Sequence, residues 1–133
     1  MTKQEYIDYW VKTAAKDWKV VNDLYKSKNY VHSLFWAHLL LEKLIKAHWV
    51  KDNEANIPPK IHHLVYLVEK TKLSVSEDDI KFFYLMNQFQ LEGRYPDYVH
   101  DLYKKYKSAQ TKKILDQVDF QRKCLLKKLL SAK

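Results

Sequence analysis

The segment from Tyr30 to Lys51 contains neither glycine nor proline, and as a helix it is apolar on nearly every side. Such a helix is either central in a bundle or presents a second apolar face to another subunit. The whole chain has one glycine and three prolines, too few for a turn-rich β-sandwich or barrel. We therefore predict an all-α domain with this segment as its central helix.

Apolar residues spaced three and four apart predict further helices on both sides of the central one. Ser76, followed by Asp79, predicts a capping box, and Ser108 is a candidate cap for the last helix. With 133 residues, the chain has the length of one domain, residues 1–133. The predicted helices run from about Lys3 to Lys28, shortly after Pro58-Pro59, from about Glu77 to Leu91, from about Pro96, and from about Ala109 to Ser131.

Polar residues inside the central helix predict a structural role. Glu42 and Lys46 have the i,i+4 spacing of a favourable ion pair. His38 and Glu42 share a face and could begin a metal site, but no third ligand follows at a recognisable spacing, so we favour a structural pair. We favour a role for one of His62 and His63 in capping or bracing the loop over catalysis. We predict no metal or other cofactor.

The charge and the single cysteine indicate a compartment and a class of partner. Cys124 cannot form an internal disulfide, which is typical of a reducing compartment. We find no signal-peptide pattern and no membrane-spanning run, and expect a cytoplasmic protein. A formal net charge of +8 favours RNA, nucleotides or an acidic protein as partners, although lysine-rich helix surfaces also serve solubility alone.

The segment from Gly93 to His100 interrupts the helical pattern and contains the only glycine, one of the prolines and one of the two arginines. Lysine supplies most of the basic charge, so an arginine here indicates a position that needs a planar, bidentate donor. Pro96 is a good first residue of a helix. We therefore expect Arg94 to precede a short helix and His100 to lie near its first turn, with both facing one cleft.

Three segments in this order resemble the HEPN family: Ala37–Ala47, Pro58–Leu64 and Gly93–Tyr98. The resemblance spans nearly the whole chain. It implies an up-and-down bundle of four or five helices, usually a homodimer, that binds nucleotide or RNA. It also implies a possible partner, because many members pair with a minimal nucleotidyltransferase as a toxin–antitoxin system.

The resemblance further implies a catalytic pair. Active members are metal-independent ribonucleases in which an arginine is followed a few residues later by a histidine, and Arg94 and His100 match that motif. A neutral histidine can take the proton of a 2′-hydroxyl, and an arginine can hold phosphate oxygens bidentately. This chain has Tyr95 where active members often have a small polar residue. Its Tyr103 comes one position later than the tyrosine of the best-known toxin branch.

Three functions are therefore open. The first is nucleotide or RNA binding, in which His100 is a surface residue paired with Asp97. The second is endoribonuclease activity with Arg94 and His100 as the catalytic pair. The third is a non-catalytic helical adaptor. The candidate binding residues are Arg94, Tyr95, Asp97, Tyr98 and Tyr103.

Overall fold

The computed structural model describes residues 1–131, which contain six α-helices, one turn of 3-10 helix and no strand. The all-helical bundle predicted from the sequence is confirmed. No helix within residues 1–131 is both long and apolar enough to cross a membrane. The α-helices are α1 (Lys3–Lys26), α2 (Tyr30–Asp52), α3 (Leu64–Glu69), α4 (Glu77–Met86), α5 (Pro96–Lys105) and α6 (Ser108–Ser131), and the 3-10 turn is Asn87–Phe89.

Helix α2 lies at the centre, as predicted. It packs against α1, α6, α3 and α5, and Leu34, Leu41 and Ile45 are fully buried. The apolar surface on every side of α2 is therefore largely covered by other helices of the same chain. The surplus apolar face that suggested a second subunit is used within one chain, and the homodimer stays a prediction.

A tight connection joins α1 to α2. The N–H of Asn29 donates to the carbonyl of Leu24 at 2.8 Å, and the N–H of Lys28 donates to Tyr25 at 3.0 Å. These two bonds form a Schellman motif, which requires a left-handed residue after the helix. Lys28 takes that conformation with φ 67°, so α1 ends at Lys26 and not at the predicted Lys28.

The other end of this helix pair is closed by Lys3. Its Nζ donates to the carbonyl oxygens of Val50 at 2.7 Å, Asn53 at 2.8 Å and Ala55 at 3.3 Å. Carbonyls at the end of a helix lack partners within it and carry the negative end of the helix dipole, so a cation is stabilising there. The contact places the start of α1 beside the end of α2, and it fixes the beginning of the loop that leads to α3.

Helix α4 is shorter than predicted. It ends at Met86, and the 3-10 turn follows, whereas the apolar pattern predicted a helix to about Leu91. The backbone stays helical through that turn and leaves it at Gln90. Within the turn, Oδ1 of Asn87 accepts the N–H of Leu64 at 3.0 Å. This bond attaches the end of α4 to the first residue of α3.

Of the two predicted caps, one is confirmed and one is wrong. The Ser76 hydroxyl accepts the N–H of Asp79 at 3.1 Å, and the Asp79 carboxylate accepts the N–H of Ser76 at 3.1 Å, which is the predicted capping box. Ser108 is the first residue of α6 itself. Its hydroxyl lies 3.1 Å from the phenol of Tyr25, so it joins α6 to α1.

Replacing Leu41 with Ala should lower the free energy of unfolding by about 2–5 kcal/mol, because the side chain is fully buried and its loss leaves a cavity. Urea unfolding followed by circular dichroism measures this change. Leu130→Ala is the matched control, since Leu130 is 71% exposed and its truncation leaves no internal cavity. Equal losses in both variants would contradict the central position of α2.

Candidate functional site

The turn before α5 depends on Gly93. This residue has φ 74°, a conformation that glycine adopts without strain. The N–H of Arg94 donates to the carbonyl of Leu91 at 3.1 Å and closes the turn. A Cβ atom at Gly93 would meet no atom within 4 Å, so the position requires the backbone conformation and not the missing side chain. The turn fixes the direction in which Arg94 leaves the backbone.

The guanidinium of Arg94 is held on two sides. Its Nε donates to the carbonyl of Gln90 at 3.2 Å, and its central carbon lies 4.4 Å from the ring centroid of Tyr98. Tyr98 is itself fixed, because its hydroxyl donates to the carbonyl of Gln88 at 2.6 Å. Within residues 1–131 the two terminal amino groups of Arg94 have no hydrogen bond, which leaves them available to an external acceptor such as a phosphate.

Arg94 lines an open cavity of about 130 Å³ together with His62, His63, Asn87 and Gln90. We call this cavity the arginine cavity. It is smaller than the roughly 300–1,000 Å³ typical of sites that enclose a whole small molecule. The cavity has the size for one charged group of a larger ligand. Arg94 supplies a cation to its lining, and His62 and His63 supply two imidazoles.

His62 braces its loop against α2, the structural role predicted for one of the two histidines. Its Nδ1 lies 2.9 Å from Oε1 of Glu42, whose other oxygen accepts from Lys46 Nζ at 2.8 Å. Nε2 of His38 lies 3.0 Å from the carbonyl oxygen of His62 and donates to it, because a carbonyl only accepts. The ring and the backbone of His62 are thus both fixed by one helix, and the predicted Glu42–Lys46 pair is confirmed.

His63 is held as a neutral ring. The amide of Asn87 uses Oδ1 for the Leu64 N–H, so its Nδ2 donates to His63 Nε2 at 3.0 Å. A neutral imidazole accepts at one nitrogen only. The 3.0 Å bond from Asn87 is shorter than the 3.4 Å contact between the Tyr66 N–H and Nδ1, so Nε2 is the accepting nitrogen. Partial burial also lowers the pKa of His63.

Two tyrosines extend the surface beside the arginine cavity. The ring of Tyr66 stacks on His63 with centroids 4.0 Å apart, and Tyr84 meets His63 edge-on at 5.2 Å. Both tyrosines are about half exposed. Sequence reasoning missed this cluster. The paired histidines inside one of the three HEPN-like segments were the signal that could have found it.

The other residues predicted near Arg94 lie on the open surface. Tyr95 is 83% exposed, and Asp97 and His100 are exposed as well. His100 lies on α5 and is not among the residues that line the arginine cavity. Within residues 1–131 no ion pair joins His100 to Asp97. In one chain, therefore, Arg94 shares its cavity with His62 and His63, and the catalytic role of His100 stays a prediction.

Tyr103 belongs to a different cavity. Its ring stacks with His32 at a centroid distance of 6.0 Å. These two rings help to line an open cavity of about 290 Å³, which Tyr30, Lys28 and Lys107 also border. The predicted binding residues are thus distributed over two places on the surface.

His38 and Glu42, weighed above as the start of a metal site, form bonds inside the fold through Nε2 of His38 and both carboxylate oxygens of Glu42. His38 bonds the carbonyl of His62, and burial lowers the pKa of its imidazole. Glu42 bonds Lys46 and His62. Across residues 1–131, no three His, Cys, Asp or Glu side chains are grouped as a metal site requires.

Comparison with protein families gives one result. The family model described as "HEPN domain" matches residues 7–123, which is most of the chain. The curated proteins and the solved structures give no match.

Stability should fall as the pH drops through about 6.5, because burial lowers the pKa values of His38, His48 and His63 below that ordinary value. Below pH 6.5 the unfolded chain then binds more protons than the folded one, and stability rises with pH in that range. Urea midpoints at about pH 7.5 and about pH 5.5 measure the effect, with the lower midpoint expected at the lower pH.

A histidine pair provides the control. His48 is buried, whereas His32 is exposed. His48→Gln should reduce the difference between the two midpoints, and His32→Gln should leave it as in the wild type. Identical midpoints at both pH values in the wild type would contradict the neutral state of the buried rings.

Proposed function

Because the chain belongs to the HEPN domain family, we propose that it binds nucleotide or RNA by a phosphate group held at Arg94 in the arginine cavity. Membership of the family supports a helical domain of the nucleotide-binding, RNA-binding or ribonuclease type. The step from that class to this residue is our proposal, and it rests on the geometry around Arg94.

The observation that carries the proposal is the state of the Arg94 guanidinium. Gln90 and Tyr98 fix its plane, while both terminal amino groups lack partners within residues 1–131. An arginine whose orientation is already fixed loses less conformational entropy when it binds a phosphate. Two parallel N–H donors then match two phosphate oxygens.

The surroundings supply the other requirements of a nucleic-acid ligand. The exposed rings of Tyr66 and Tyr84 contact His63, which lines the arginine cavity. The exposed Tyr95 follows Arg94 in the chain. Exposed aromatic rings can stack on bases of any sequence. The formal net charge of +8 adds a long-range attraction for a polyanion.

Endoribonuclease activity by Arg94 and His100 is the second candidate. The observation that favours it is the free state of His100, whose exposed ring has no hydrogen bond or ion pair in the described part of the chain. His100→Ala separates the two candidates, because only cleavage by this pair requires that imidazole. The third candidate, a non-catalytic adaptor, does not explain why the terminal amino groups of Arg94 lack hydrogen bonds within residues 1–131.

Family membership also motivates an assembly. We propose that the domain forms a homodimer and is a component of a pair with a minimal nucleotidyltransferase, as in toxin–antitoxin systems. In such a dimer the two Gly93–His100 segments can combine into one basic cleft across the twofold axis. A small nucleotidyltransferase encoded by the neighbouring gene would support the pairing.

Arg94→Lys should weaken binding of single-stranded RNA and of ATP, because lysine keeps the charge but loses the bidentate fork. Fluorescence anisotropy with labelled RNA, and competition by ATP, measure the two affinities. We expect a loss of about tenfold or more, the equivalent of one charge-assisted hydrogen bond.

The chain offers a matched control in its other arginine. Arg122 pairs with Asp119 at 2.7 Å and lies over the ring of Trp18, away from the arginine cavity. Arg122→Lys should therefore retain wild-type affinity. Equal weakening by both substitutions would indicate a general charge effect and contradict a specific phosphate site at Arg94.

Light scattering should give a mass of twice the 16.1 kDa of one chain. The measurement is made at micromolar protein concentration, with and without RNA, so that an assembly that forms only on the ligand is also detected. A mass of one chain under both conditions would contradict the homodimer.

A further inference from the structure

We propose that His62 is the general base for RNA cleavage at the arginine cavity and that Glu42 is its positioning residue. The inference rests on the proposed binding of RNA phosphate by Arg94. It assigns the proton transfer to a histidine outside the Gly93–His100 segment.

The hydrogen bonds of His62 define which nitrogen can act. A carboxylate only accepts, so the 2.9 Å contact between Glu42 Oε1 and His62 Nδ1 places the proton of the neutral ring on Nδ1. Nε2 then carries the lone pair. The side chain is 48% exposed and lines the arginine cavity, and Nε2 has no hydrogen bond within residues 1–131.

The carboxylate that orients His62 is held firmly. The side chains of Glu42 and Lys46 are only 7% and 9% exposed, and their 2.8 Å ion pair fixes the second oxygen of the carboxylate. Such a carboxylate holds the imidazole in one tautomer and orientation, and it stabilises the imidazolium that forms when the base takes a proton. The His38 bond to the carbonyl of His62 fixes the backbone as well.

Neither His63 nor His100 offers an unoccupied acceptor nitrogen in the arginine cavity. His63 Nε2 already accepts from Asn87, so its lone pair is occupied. His100 lies outside the arginine cavity. His62 is thus the one imidazole of the described chain that lines the cavity with an oriented and unoccupied acceptor nitrogen beside Arg94.

The step is an internal transesterification. His62 Nε2 takes the proton of a ribose 2′-hydroxyl, and the 2′-oxygen attacks the adjacent phosphorus while Arg94 holds two of its oxygens. The bond from phosphorus to the 5′-oxygen of the next nucleotide breaks, and that oxygen takes a proton from solvent. The products are a 2′,3′-cyclic phosphate and a 5′-hydroxyl, and His62 returns its proton to water. No oxidant, reductant or further reactant is needed.

The test uses a labelled single-stranded RNA and the same oligonucleotide with 2′-O-methyl riboses, which lacks the attacking hydroxyl. Wild-type protein should bind both and cut only the first, leaving 2′,3′-cyclic phosphate ends. His62→Gln should slow cutting by about 100-fold or more, the usual contribution of a general base. Its affinity for the 2′-O-methyl oligonucleotide should stay at the wild-type level.

His32→Gln is the control, because His32 is exposed and lies outside the arginine cavity, and it should cut at the wild-type rate. His62 is half exposed, so its variant should fold, and circular dichroism checks this. Glu42→Gln, if folded, should lower kcat for cutting and leave KM and the affinity for the 2′-O-methyl oligonucleotide at the wild-type level, and the His62→Gln result stands without it.

The outcomes separate the two proposals. Wild-type protein that binds both oligonucleotides without cutting overturns catalysis by His62 and leaves phosphate binding at Arg94 intact. Full cutting by His62→Gln overturns its role as base. Loss of 2′-O-methyl binding in His62→Gln makes it a binding residue and also overturns the inference. Wild-type protein that binds neither oligonucleotide overturns both proposals.

Discussion

The carboxylate of Glu42 is the constraint on which this end of the molecule depends. A charge at the centre of a helical bundle is strongly unfavourable unless it is paired and hydrogen-bonded. Lys46 supplies the opposite charge from the next turn of α2, and His62 supplies a donor from the loop of residues 53–63. The second contact fixes the loop against α2, and with it the start of α3 and Tyr66, which α3 carries.

Much of the fold could be predicted because it follows from local spacing. The i,i+4 separation of Glu42 and Lys46 brings them together on any helix, and the Ser76–Asp79 box needs only one turn. The central position of α2 follows from apolar residues on all its sides. These features depend on neighbours in the chain and need no knowledge of how distant segments meet.

The candidate site depends on distant segments, and here the sequence was less informative. Arg94, which follows the left-handed turn at Gly93, lines one cavity with His62, His63 and Asn87, and the side chain of Asn87 bonds Leu64. The periodicity of apolar residues in the sequence reveals neither the side-chain bond of Asn87 nor the direction of the turn. The family resemblance therefore offered His100, six positions away, as the partner of Arg94, whereas the fold places two histidines from another loop in the same cavity.

The arrangement around Glu42 also bears on how such a domain can evolve. Lys46 alone neutralises the carboxylate, and the His62 side chain is half exposed. The core of α2 can therefore tolerate exchange of the imidazole for another polar side chain. If His62 performs the chemistry, a single codon change would convert a nuclease into a domain that only holds its ligand.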